Sequence, residues 1–176
     1  MSIEINVLNA EASWPLAKPL FDAIWPPHVV ETLAWADVSF DNPELRVLIQ
    51  NEADEVLCHV GLHRRAIIWN GHKIRVAGIS SVLTRPDMRR HGYASIALDA
   101  AIQTLKDEGS TPFALLFCEP RMGEFYQSRG WHAFTGAVYA EQPEGRIRFE
   151  VMAPMVLDLK RRAPTLGQLD LCGLPW

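Results

Sequence analysis

VAGISSVLTRPDMRRHGYASIALDAAIQTLKDEG, residues 76–109, decides how the rest of the chain must fold. It reads as a buried strand, a tight loop and a long helix. Ile79, Val82 and Leu83 give the first part its apolar, strand-favouring character. Pro86 has no N–H for a ladder, so the strand must end just before it. From Ala94 the period changes: Ala94, Ala97, Leu98, Ala101, Ile102 and Leu105 recur at helical spacing and form one apolar face. Turn residues from Asp107 to Pro112 stop the helix near Gly109.

Between strand and helix lies Arg89-Arg90-His91-Gly92-Tyr93-Ala94. A helix N-terminus presents amides without intrahelical partners and a partial positive charge. Gly92 and Ala94 carry little or no side chain, so an anion can approach the backbone. Arg89, Arg90 and His91 add charge from the side. The combination reads as a phosphate cradle. An ordinary helix start with solvated arginines is the plainer alternative.

The order R-x-x-G-x-A, after a V-L-T-R-P strand end and before an amphipathic helix, resembles the cofactor motif of the GNAT superfamily of N-acetyltransferases. A second block is also similar to that family: the apolar run Phe113–Cys118, then Phe125-Tyr126-Gln-Ser-Arg-Gly130-Trp131. The resemblance implies a mixed α/β fold built on a mostly antiparallel sheet of about seven strands. The fourth and fifth strands would be parallel and splayed, with helices on both faces. It implies acetyl-coenzyme A as co-substrate and no metal. Val82, Leu83 and Thr84 would pair with the pantetheine arm. Arg89, Arg90, His91, Gly92, Tyr93, Ala94 and Ser95 would hold the pyrophosphate end, with Phe125 also on the cofactor.

The chemistry implied is direct attack of a neutral primary amine on the thioester. The amine must lose a proton, the carbonyl must be polarised and the departing thiolate stabilised. Tyr126 falls where the family has its general acid. Many members carry a glutamate on the fourth strand as base, and this chain has Ser80 and Ser81 there. Glu119, at the end of the fifth strand, is the other candidate base, with a surface salt bridge as its plain alternative.

Composition bounds the rest. At 176 residues, with 48% hydrophobic and 22% charged residues, the chain is expected to form one domain, 1–176. A net charge of −4 argues against a nucleic-acid binder. Cys58, Cys118 and Cys172 are scattered and read as free thiols, with no zinc-type spacing. No apolar run approaches the roughly 20 residues of a spanning helix, and MSIEINVLNAEASW lacks a signal-peptide pattern. A cytoplasmic protein without membrane association is expected.

In chain order, Ile3, Ile5 and Val7 alternate as a strand, and Pro15 opens a helix that Pro26-Pro27 ends. His28–Trp35 is predicted as a second short helix. Leu45–Gln50 and Val56–Trp69 read as strands, and Asn70-Gly71 as a hairpin turn into His72–Thr84. Arg64 and Arg65 are expected to be exposed. Met122–Arg129 should be a short helix ended by Gly130, and 131–140 with 149–159 a final hairpin. The apolar tail from Lys160 should pack back on the domain.

The segment 58–94 also resembles the nodulation-factor N-acyltransferases in its G-L-x-R-R and T-R-P-D parts. With F-Y-x-x-x-G-W it resembles the aminoglycoside 2′-N-acetyltransferases. Trp35 is a candidate wall of the acceptor pocket, with core packing as its plain alternative, and the loop acids Asp37 and Asp41 are candidates to steer a polyamine, with simple solvation as theirs. On the aminoglycoside likeness Asp158, Asp170 and the carboxylate of Trp176 are candidates for a site that takes a small cationic amine. Two alternatives stay open: a donor with a longer acyl chain on coenzyme A or a carrier protein, and a GNAT module that binds acetyl-coenzyme A without catalysis. Many members of the superfamily dimerise, which leaves a homodimer open.

Overall fold

Asn70 (φ 47°) and Gly71 (φ 81°) both take left-handed backbone, as a tight two-residue hairpin turn demands. In the computed structural model, which describes residues 1–176, they join β3 (Val56–Trp69) to β4 (His72–Thr84). The other strands are β1 (Ile3–Asn9), β2 (Leu45–Asn51), β5 (Phe113–Cys118), β6 (His132–Ala133), β7 (Ala137–Gln142), β8 (Gly145–Arg148), β9 (Ala153–Asp158) and β10 (Gln168–Asp170). Helices are α1 (Trp14–Ile24), α2 (Pro27–Val30), α3 (Tyr93–Glu108) and α4 (Gly123–Gln127). The sheet order is β6-β9-β5-β4-β3-β10-β7-β8, with β2 on β3 and β1 on β2. No helix is long and apolar enough to cross a membrane.

Two compact units share this chain, and β3, β4 and α3 run through both. The first comprises 1–36, 42–63 and 80–104. In it β1 pairs antiparallel with β2 and β2 with the first half of β3. Val47, Leu48, Ile49, Leu57, Cys58 and Val60 are all fully buried on these strands. Helix α1 sets Ala17 and Leu20 against Leu48, Val56 and Leu83. The α3 face expected from the 94–105 spacing is buried at Ala97, Leu98 and Ala101 here, and at Leu105 in the second unit.

The second unit comprises 37–41, 64–79 and 105–176. β5 is buried along its whole length and pairs antiparallel with β9. β4 and β5 are parallel, as the crossover through α3 requires. Their registered pairs run only from Ala77 with Ala114 to Ile79 with Leu116, although β4 continues to Thr84 and β5 to Cys118. The tail packs back as expected: β10 lies between β3 and β7, and Trp176 is buried.

The sheet has ten strands, which fits the mixed architecture expected with about seven, and three other expectations need correction. β6 and β10 have two and three residues, too short to leave an alternating pattern. The hairpin of 131–140 with 149–159 does not form. Pro143-Glu144 closes a nearer turn, so β7 returns on β8, and β9 pairs with β5 and β6. The helix expected over 28–35 stops at Val30, where the Thr32 hydroxyl donates to the Val29 carbonyl (2.7 Å) and competes with the helical ladder. Arg65, expected at the surface, is half-buried. Its guanidinium donates to the carbonyls of Leu171 (3.1 Å) and Leu174 (2.7 Å) and lies 4.9 Å over the Trp176 ring, so it clamps the tail.

Candidate active site

The first unit holds the loop and the strand end that the sequence singles out. β4 gives way to Pro86–Met88, a single 3-10 turn, and α3 opens at Tyr93. Arg90 (φ 65°) and Gly92 (φ 81°) are both left-handed, and successive changes of hand turn backbone amides towards one side. The first ladder bond runs from Ile96 N–H to the Gly92 carbonyl (3.1 Å), so the amides of Tyr93, Ala94 and Ser95 lie ahead of it. A methyl group built on Gly92 would meet nothing within 4 Å, so the space beside this backbone is open. Arg89, Arg90 and His91 are exposed. His91 Nδ1 lies 2.8 Å from the Arg89 carbonyl and its ring stacks on Tyr93 at 6.0 Å, which braces the turn. Arg85 is held aside by Asp87 and Glu55. Arg89 Nε donates to the Thr84 carbonyl (3.4 Å), which holds its exposed guanidinium beside the turn. An open, left-handed turn with amides and two exposed arginines fits a diphosphate.

At the strand end, Val82 and Thr84 are half-buried and Leu83 is buried in the core with α1. Ser81 has φ 47°, unusual for a residue with a side chain. Gly61 lies against Ser80, whereas Cys58 meets Thr84 and Leu57 accepts from Arg85 N–H. Between these contacts β4 carries one more residue than β3, so Ser81 is a bulge.

Two histidines of β3, absent from the sequence-level site, face the serines. His59 is fully buried. Its Nδ1 lies 2.7 Å from the Ser81 carbonyl, and its Nε2 lies 2.8 Å from an Arg46 amine. A carbonyl can only accept and a guanidinium can only donate, so Nδ1 carries the hydrogen and Nε2 does not. Burial is the main effect that pushes His59 down to about 4; the Ser81 bond opposes it and the Arg46 charge reinforces it. Arg46 also donates to the Ala10 carbonyl (3.0 Å) and lies over the Trp14 and Phe21 rings. His63, 3% exposed, has Nε2 2.7 Å from the half-buried Ser80 hydroxyl.

The aromatic load of the first third forms one edge-to-face series. Trp14 contacts Phe21, Phe21 contacts Trp25 and His59, and Trp25 contacts Trp35. Trp35 is thus tied to α1 through Trp25 and is partly buried.

The remaining candidates belong to the second unit. Tyr126 is 5% exposed on α4, with its ring against Phe125 (5.0 Å) and Trp131 (6.1 Å). Arg129 covers the other partner, Phe125, at 3.7 Å. Glu119 accepts from Arg121 at 2.6 Å, the surface pairing that was its plain alternative. Asp37 is exposed. Asp41 pairs with Arg65, Asp170 pairs with Arg146 (2.9 Å), and Asp158 accepts the Ala163 N–H (2.7 Å). Each of these three carboxylates therefore holds a turn or the tail. The Trp176 indole is 4% exposed, donates to the Leu115 carbonyl (3.0 Å) and packs on Phe117, so the ring belongs to the core.

Comparison with known proteins bears on this geometry. The family profile described as "Acetyltransferase (GNAT) domain" matches residues 25–134. An aminoglycoside 2′-N-acetyltransferase of Mycolicibacterium fortuitum is 27% identical over 93 residues, covering 53% of this chain and 47% of that protein. The match therefore spans about half the length of the curated relative. Among solved structures, the GNAT family N-acetyltransferase YhbS of Escherichia coli, in complex with CoA, superposes with a TM-score of 0.60 at 14% identity, over 96% of this chain and 89% of that one. A GNAT family acetyltransferase of Brucella melitensis, in complex with acetyl-CoA, gives 0.60 at 14% identity, over 94% of both. At such identity these likenesses speak for the fold.

Proposed function

Because the chain belongs to the GNAT acetyltransferase family, we propose that its domain, 1–176, transfers the acetyl group of acetyl-coenzyme A to the primary amine of a small cationic molecule. The observation that carries the reading is the open left-handed turn at Arg90–Gly92, with the α3 amides behind it and Arg89 and Arg90 beside it. In this reading the turn and the amides through Ser95 hold the diphosphate. The bulged end of β4, Val82–Thr84, lies along the pantetheine arm.

The amine loses its proton near Ser80 and attacks the thioester carbonyl; a C–N bond forms and the C–S bond breaks. The Tyr126 phenol is the proposed acid that protonates the departing thiolate. Glu119 is the weaker candidate for base, because its carboxylate is engaged by Arg121. The curated relative's name supports an aminoglycoside-like acceptor, with Trp35, Asp37, Asp41, Asp170 and the Trp176 carboxylate as the candidates to receive it.

The test is release of coenzyme A thiol from acetyl-coenzyme A in the presence of kanamycin, spermidine or lysine ethyl ester. Amine-dependent release is the expected result. Binding of acetyl-coenzyme A without release from any amine would leave a binding module in place of the enzyme.

A further inference from the structure

The proposed reaction lacks an unengaged base, since a serine hydroxyl alone does not take a proton at neutral pH and Glu119 is paired with Arg121. The face of β3 behind β4 bears on this. Strand alternation puts His59, Gly61 and His63 on one side, and all three address the Ser80-Ser81 pair. The two imidazoles differ in what they meet. Both nitrogens of His59 are committed by partners with fixed roles, a carbonyl and a guanidinium. That ring is a neutral pin for the bulge, its hydrogen held by the Ser81 carbonyl and its lone pair by Arg46. His63 Nε2 instead faces a hydroxyl, which can donate and accept. Gly61 keeps the space for that hydroxyl: a methyl group there would sit 2.5 Å from Ser80 Oγ. Ser80 is half-buried while His63 is buried, so the serine is the member of the pair that a substrate can touch.

We infer that Ser80 and His63 form a proton relay that deprotonates the acceptor amine. This rests on the acetyltransferase reading above. The ammonium group gives one proton to Ser80 Oγ as Ser80 gives its own to His63 Nε2. The products are a neutral amine, an unchanged hydroxyl and an imidazolium, and no bond to carbon changes. After attack, the Tyr126 phenol gives its proton to the thiolate, which leaves as the coenzyme A thiol, and the second amine proton restores the phenol. The imidazolium then returns its proton through Ser80 to water. Ser80 touches the substrate, and His63 acts through it.

The relay is tested on the full chain with His63→Gln and Ser80→Ala. Glutamine keeps a hydrogen-bonding group behind Ser80 but cannot accept the proton. The expected result is a fall in kcat of ten-fold or more for each variant, with KM for acetyl-coenzyme A within two-fold of the parent and no further fall in the double variant. An independent readout is ring ¹⁵N NMR of the parent at pH 7.5, where His63 should carry its hydrogen on Nδ1 and none on Nε2. Retained turnover in His63→Gln, or a hydrogen on Nε2, overturns the relay while leaving the acetyltransferase reading intact. A parent chain that releases no thiol with any of the three amines overturns that reading and the relay with it. Should His63→Gln fail to fold, Ser80→Ala and the ring spectrum decide.

Discussion

Gly61 on β3 and Gly78 on β4 use the same missing atom for opposite ends. At Gly61, in the first unit, a methyl group would sit 2.5 Å from the Ser80 hydroxyl. At Gly78, in the second, it would sit 2.5 Å from the Trp176 ring, with two further ring atoms within 2.9 Å. The hydroxyl is the movable end of a small side chain. The indole is fixed by its bond to the Leu115 carbonyl, by Phe117 and by Arg65. One glycine therefore leaves room for polar chemistry and the other for a core anchor. Glycine in a strand is not one signal; its meaning depends on whether the neighbour can move.

The largest expected effect concerns the pin beneath the serine end. His59 is neutral when folded, with its pKa down to about 4, whereas an unfolded histidine titrates near 6.5. Between these values the unfolded chain binds more protons, so stability is complete above about pH 6.5 and is lost as pH falls towards about 4. The loss is on the order of 3 kcal/mol. Urea unfolding at pH 7 and pH 4.5 checks this; the slope with pH should be shallower in His59→Gln, and an equal slope would separate His59 from acid sensitivity. Next, Gly78→Ala should cost about 1–3 kcal/mol through overpacking against the indole, read as a lower melting temperature with any residual activity retained. Smallest in stability is Gly61→Ala, for which the melting temperature should move less than in Gly78→Ala. Its kcat should nevertheless fall, because the Ser80 hydroxyl must turn away from His63. If Gly61→Ala unfolds the chain and Gly78→Ala does not, the contrast between the two glycines is reversed.

Much of this was legible in the sequence because it rests on local signals. The apolar face of 94–105 became the buried side of α3, and Asn70-Gly71 became a turn with both residues left-handed. Gly92 in R-x-x-G-x-A has open space beside its backbone, the access its missing side chain suggested. The histidines were not read, because their role depends on cross-strand register and not on neighbours in sequence. The signal was nonetheless present: counting equally back from the Asn70-Gly71 turn along both strands sets Gly61 opposite Ser80, which puts His59 and His63 to either side. The partners of the acidic candidates of the tail were hidden for a related reason. Asp158 and Asp170 look available in sequence, yet each closes a turn or meets Arg146 once the tail folds back.

The central claim is that the turn ahead of α3 holds the diphosphate of acetyl-coenzyme A. Isothermal titration of the full chain with acetyl-coenzyme A, beside Arg89→Ala at the same ionic strength, tests it most directly. One saturable site in the parent and a several-fold higher Kd in the variant are expected. Equal affinities for the two proteins, or no binding heat in the parent, would contradict it.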